Sequence, residues 1–435
     1  MVKDLLKKED WWAIWFGFII IILAILSKFT GAFSFLSVKP KTWGDNGITI
    51  MQAMDGNFPK IFFVLLFLAL MFAMGLKIMG GSSIKKYLLA FPALFGLTYI
   101  AELISAQATM KYYGLGYALW ALVIGLIISN TIKTPEWLKP ALKTEMYIKT
   151  GLVLLGASVL FNNILRLGLY GLGIAWFVTP LVVLFMWYFG TRILKIKSKS
   201  LVITIATATS VCGVSAAIAA AAASKAKKDE LTFAVGLSLI FTVIMMVFMP
   251  LGIKFLGMDP LMGGAWIGGT IDSTGAVAAA GAMLGDVALK SATIIKMIQN
   301  VLIGVFAFGI ALFWVTNVEQ DENSPRVGIS EIWIRFPKFI IGFLAASILF
   351  SFVLTPLTGL LPEDIINITK GYQSWLFALA FMSIGLESNF KEMAQLVQGG
   401  KPLTLYVVGQ TFNVILTLVA VWLLLSGTFF PIPVI

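Results

Sequence analysis

Two stretches of this sequence carry polar, glycine-broken chemistry where a smooth apolar helix would be the easier solution. "TATSVCGVSAAIAAAA" (207–222) sets Thr207, Thr209, Ser210, Cys212, Gly213 and Ser215 before and into a run of alanines. "GGTIDSTGAVAAAG" (268–281) repeats the plan with Thr270, Asp272, Ser273 and Thr274 ahead of Gly275. A helix interrupted at either centre exposes free backbone N–H groups where it restarts, and those groups with the positive dipole end attract anions. The neighbouring hydroxyls add donors. For any single Ser or Thr the competing reading is a close helix contact, with the hydroxyl bonded back to its own backbone. Asp272 is the sharpest residue, because an acid inside a membrane segment is costly and marks function by default. It can bind Na⁺ beside the hydroxyls of Ser273 and Thr274, relay a proton, or pair with Lys296. Lys296, Gln299 and Asn300 in "IIKMIQN" share one helix face by their spacing of three and four. Asp272, Lys296 and Asn300 form the expected coupling set. Thr209, Ser210, Cys212, Gly213, Ser215, Thr270, Ser273 and Thr274 form the expected solute set. Asn162 and Asn163, after a helix end, either join that set by lining the cavity or cap a loop. Glu102 is intramembrane and is read as a packing or interfacial residue.

Several chemistries are excluded. The chain has no His and one Cys, which removes disulfides, Cys/His zinc sites and any Ser-His-Asp triad. "GVSAA" (213–217) lacks the second Gly of a nucleophile elbow. No G-x-x-x-x-G-K-[ST] phosphate loop is present. The expectation is therefore no enzyme activity, no metal centre beyond a Na⁺ ion at Asp272, Ser273 and Thr274, and no cofactor beyond a coupling ion, Na⁺ or H⁺.

The elements that must hold these residues follow from composition. Of 435 residues 59% are hydrophobic and only 12% charged, with a mean hydropathy of +0.94. Soluble domains carry about twice that charge, and the apolar runs are of bilayer-spanning length, without the alternation of barrel strands. The fold class is an all-α polytopic membrane protein with eleven to thirteen membrane segments. They lie near 11–28, 60–80, 84–108, 114–131, 145–161, 168–194, 200–224, 229–257, 262–284, 287–316, 332–357, 370–388 and 402–428. The first, after a basic start and bearing Trp11, Trp12 and Trp15, reads as a retained helix and not a cleaved leader. The net charge of +11 sorts into short loops, so it speaks of topology and not of nucleic acid. Lys3, Lys7 and Lys8 put the N-terminus in the cytoplasm, and the clusters at 77–86, 133–143 and 192–199 then fall inside too. "SKAKKDE" (224–230) fits only if segment 200–224 is broken or re-enters. "NVEQDENSPRVGISE" (317–331) reads as a soluble loop. Three stretches result: an N-terminal extension with two extra helices (1–83), a core part with both broken segments (84–316), and the closing helices (332–435).

Internal similarity links 71–92, 151–171 and 381–402, and separately 207–241 with 268–298. Paired interrupted segments in an inverted-repeat chain are the sequence pointer to a secondary transporter. From about residue 84 the chain resembles the YeiH-type sulfate exporter family of bacterial inner-membrane proteins. The resemblance rests on "LVIGLIISNTI" (122–132), "SVCGVSAAIA" (210–219), "IGGTIDSTGAVAAAG" (267–281), "ATIIKMI" (292–298) and "IGLESNF…GGKPL" (384–403). More distantly, "VCG" and its helix look like the discontinuous helix of bile-acid and cation/proton-antiporter carriers. The resemblance implies inverted repeats, crossing broken helices and an elevator motion. It implies transport or export of a small anion such as sulfate, a sulfonate or a carboxylate. Where that family carries a His followed by an acid, this chain has Asp272 and Ser273; Ala221, Ser158 and Gln299 stand where it carries charges. Those exchanges keep a rival in play, a Na⁺- or H⁺-coupled carrier of a neutral or zwitterionic solute. An ion channel is the rival from another class. The expected setting is the bacterial inner membrane, multi-pass, with the lipid bilayer, a small solute and a second copy in a homodimer as partners, and no nucleic acid.

Overall fold

A computed structural model describes residues 2–30, 39–44, 48–54, 58–80, 84–112, 115–159, 161–318, 333, 336–358, 363–392 and 400–433. Its regular elements are helical. Seven helices among the described residues are long and apolar enough to cross a membrane, for example Phe58–Ile78, Lys228–Phe255 and Lys401–Leu425. The chain is an all-α polytopic membrane protein. Most of the expected loop at 317–331 lies outside the described residues.

The chain forms two compact units, Met1–Asn162 with Lys338–Asn389, and Asn163–Pro337 with Phe390–Ile435. They are drawn differently from the three sequence stretches, since the N-terminal helices group with residues of the middle and end. The first unit contains α1 (Glu9–Thr30), α2 (Phe58–Ile78), α3 (Ile84–Ser105), α4 (Tyr117–Thr131), α5 (Thr144–Gly156), α14 (Phe339–Ile348) and α15 (Glu363–Glu387). α15 packs on α4 and α5, and α1 packs on α5. α4 and α15 approach through glycines. A Cβ on Gly125 would lie 2.6 Å from the Met382 carbonyl and 2.8 Å from Gly385 Cα. Such small-residue contacts replace the hydrophobic drive that lipid does not supply. Two matching "SN" pairs fasten the crossing: Asn130 Nδ2 donates to Ser388 O at 2.9 Å, and Asn389 Nδ2 donates back to Ser129 O. Glu102 is buried on α3, with Ser374 Oγ donating to it at 3.4 Å.

The second unit contains α6 (Phe161–Gly171, from Asn163 on), α7 (Val178–Tyr188), α8 (Lys199–Ser210), α9 (Gly213–Ala223), α10 (Lys228–Phe255), α11 (Pro260–Thr270), α12 (Thr274–Ala282), α13 (Asp286–Asn317) and α16 (Lys401–Leu425). Local chemistry sets the ends. The Ser198 hydroxyl caps α8 by accepting from Leu201 N, and Asp259 caps α11 ahead of Pro260. α8, α9, α11 and α12 have 12, 11, 11 and 9 residues, so each is about 14–18 Å long, roughly half a bilayer core. α13, of 32 residues, is the long element behind them. Gly264 and Gly268 bring α11 onto its backbone, a Cβ on Gly268 falling 2.4 Å from Ala292 O.

Candidate functional site

Helical hydrogen bonding stops at Ser210 and restarts at Gly213, with Cys212 extended at φ −154°. It stops again at Thr270 and restarts at Thr274, with Ser273 extended at φ −107°. The two interruptions meet: Gly213 N donates to Asp272 O at 2.9 Å. Side-chain bulk is excluded there, because a Cβ on Gly213 would lie 2.1 Å from Ser238 Oγ.

Each first half, α8 and α11, ends inside the protein, and its last carbonyls need partners that water cannot give. Three side chains supply them in a nearly two-fold pattern, and Gln410 Nε2 adds a further bond to Thr270 O at 3.2 Å. Lys296 Nζ donates to the two residues that end the halves, Val211 O at 2.5 Å and Ile271 O at 2.8 Å, and to Gln299 Oε1 at 2.7 Å. Gln299 Nε2 serves Ser210 O at 2.9 Å and Gly269 O at 3.2 Å. Asn413 Nδ2 serves Thr209 O and Thr270 O, both at 3.4 Å. Gln299 and Asn413 thus take mirror-related carbonyls on either side of Lys296. Each helix end carries about half a negative charge, so one ammonium balances two.

Asp272 stands on the other side of this balance, beside the positive starts of α9 and α12. Its Oδ2 accepts from Tyr406 OH and from Ser238 Oγ at 3.0 Å, while Oδ1 is buried without a partner. No ion pair joins it to Lys296, whose ammonium is committed to backbone carbonyls.

The other expected residues differ in what they do. The hydroxyls of Thr207, Thr209 and Ser210 donate to the carbonyls four residues back, at 2.8, 2.8 and 2.7 Å. The bland reading of those hydroxyls holds, and their backbone carbonyls make the site's contacts. Cys212 and Thr270 are buried at the breaks, and Thr270 Oγ1 has no partner. Ser273 and Thr274 are half-buried, with Asn300 Nδ2 donating to Thr274 Oγ1 at 2.9 Å. Ser215 is exposed on the first turn of α9. Asn162 is exposed and belongs to the first unit, and the side chain of Asn163 lies outside the described residues.

Sequence reading missed Ser238 and Tyr406, which hold the carboxylate, and Gln410 and Asn413, which reach the end of α11. Tyr406, Gln410 and Asn413 are spaced by four and three on α16, one helix face. That spacing was the available signal.

The family described as Conserved hypothetical protein 698 matches residues 89–406. A UPF0324 membrane protein of Rhodopirellula baltica is 54% identical over 394 residues, covering 90% of this chain and 72% of the relative. A UPF0324 membrane protein of Nitratidesulfovibrio vulgaris is 53% identical over 81% of this chain, and the match spans 61% of that relative's length. One from Nitrosomonas europaea is 26% identical over 92% of both chains. No solved structure matches. With seven apolar helices and these relatives, the chain is a multi-pass membrane protein that belongs to the UPF0324, or Conserved hypothetical protein 698, family.

Proposed function

We propose that this chain is a secondary-active transporter of a small anionic solute, such as sulfate, a sulfonate or a carboxylate. One observation carries the reading: two helix interruptions are tied together by Gly213 N and Asp272 O, with their negative ends already balanced by Lys296. That arrangement leaves the positive starts of α9 and α12 to Asp272 alone, and once a coupling cation takes up the charge of that carboxylate an anion is the complementary ligand for them. All of these residues fall within one compact unit, which suits elevator-type alternating access in which that unit moves as a body. We place the protein in a bacterial inner membrane with its N-terminus cytoplasmic, as a homodimer.

A second reading has support of its own. Asp272 already sets a carboxyl group beside the helix starts, and a fixed negative charge there suits a cation-coupled carrier of a neutral or zwitterionic solute. Thermal unfolding of the purified protein against sulfate, sulfonates, carboxylates and zwitterionic amino acids separates the two. A ligand at about 100 times its Kd adds about 2.7 kcal/mol. Stabilisation by anions alone supports the first reading, and stabilisation by zwitterions alone replaces it with the second.

A further inference from the structure

We propose that Asp272 Oδ1, Thr270 Oγ1, Thr242 Oγ1 and Gln410 Oε1 bind one Na⁺ ion. All four atoms are buried oxygens without a hydrogen-bond partner. Their residues are only 1, 1, 5 and 4% exposed. Buried polar atoms are nearly always paired, so the bare Oδ1 of Asp272 and three further orphan oxygens, one on its own chain segment and two on the helices that bond it, call for a common explanation.

Connectivity brings them together. Ser238 on α10 and Tyr406 on α16 both donate to Asp272 Oδ2. One turn further along each helix stand Thr242 and Gln410. Gln410 Nε2 reaches Thr270 O at 3.2 Å, and Met245 Sδ of α10 at 2.9 Å. Ser238, Thr242 and Met245 are spaced by four and three, one face of α10. Thr242 therefore sits between the layer that holds Asp272 and the layer that holds Gln410. The Gln410 amide is oriented by its two donor contacts, which leaves Oε1 as its acceptor end.

The donor set selects the ion. All four ligands are hard oxygens and only one is charged. That suits a monovalent hard cation; a divalent one would keep a net buried charge. A charge count ties the ion to the solute. Lys296 balances the two negative helix ends, and Asp272 balances the two positive starts, each about half a charge. Na⁺ at Asp272 frees those positive starts for an anion, so each ligand raises the affinity of the other, equally by linkage. This coupling role rests on the transporter reading; the binding of Na⁺ does not.

The test is direct binding of radioactive sodium to purified protein in detergent, with no solute and no gradient, competed by K⁺, choline and protons. The expected result is saturable Na⁺ binding that K⁺ and choline do not displace. Thr242→Val, isosteric and without the hydroxyl, should weaken it by about tenfold or more, whereas Thr242→Ser keeps it. Elution of each variant as the parent's folded peak guards against misfolding. Absence of Na⁺-specific binding in the parent overturns the proposal. So does a Thr242→Val variant that folds and binds like the parent, or a site that answers only to pH. Transport without Na⁺ binding would remove the ion and keep the carrier; Na⁺ binding without transport of any solute would do the reverse.

Discussion

Gly213→Ala is the smallest change that reaches the crossing. Its added Cβ would sit 2.1 Å from Ser238 Oγ, 3.2 Å from Ser238 Cβ and 3.5 Å from Asp272 Cβ. Only the first contact is impossible, and the hydroxyl can rotate away from it. Rotation breaks the 3.0 Å bond from Ser238 Oγ to Asp272 Oδ2. Hydrogen bonds to charged groups contribute about 1.5–3 kcal/mol, and residual overpacking costs about 1–3 kcal/mol. The expected loss is therefore about 2.5–6 kcal/mol, read by equilibrium unfolding of the purified protein in mixed micelles. Ser238→Ala removes the hydroxyl and makes the room. The double variant should be nearly as stable as Ser238→Ala alone, giving a coupling energy close to the whole Gly213→Ala loss. Gly213→Ala as stable as the parent, or a double variant that loses the sum of the two, would refute the crossing as described.

Two further outcomes follow from other contacts. Gly125→Ala should cost about 3 kcal/mol or more with no single-side-chain rescue, because its Cβ would strike backbone atoms of Met382, Gly385 and Leu386 at 2.6–2.8 Å; chemical denaturation of the variant checks this. Gln299→Leu and Asn413→Leu should each destabilise by about 1–3 kcal/mol per carbonyl left bare. Gln299 should be the more costly, since its carbonyl bonds are shorter and it also accepts from Lys296; parallel unfolding curves give the order.

How much of this could be read in advance differed by level. Hydropathy located the apolar helices, because an uninterrupted run of bilayer length has few other uses. Glycine and polar residues inside two such runs marked where helical bonding stops, at 211–212 and 271–273. What each side chain does there was less legible. Thr209 and Ser210 looked like donors to a solute, yet a hydroxyl in a helix has its own carbonyl within reach, and that local bond formed. Pairing with Lys296 was one of three roles open to Asp272, yet the ammonium of Lys296 goes to two helix ends instead. Gln299 read as a lost charge and instead holds two carbonyls. Tyr406 lies 134 residues from Asp272, and no local pattern connects them; only the folded arrangement of α16 against the breaks does.

The measurement that bears most directly on the central claim is gradient-driven solute accumulation in proteoliposomes, with the parent and the Asp272→Asn variant side by side. The account predicts that the parent accumulates a small solute under an imposed ion gradient. It predicts that the variant folds, as judged by its elution and helical content, but does not accumulate. A variant that transports like the parent under both Na⁺ and proton gradients would contradict it, making Asp272 a structural residue and moving the coupling site elsewhere.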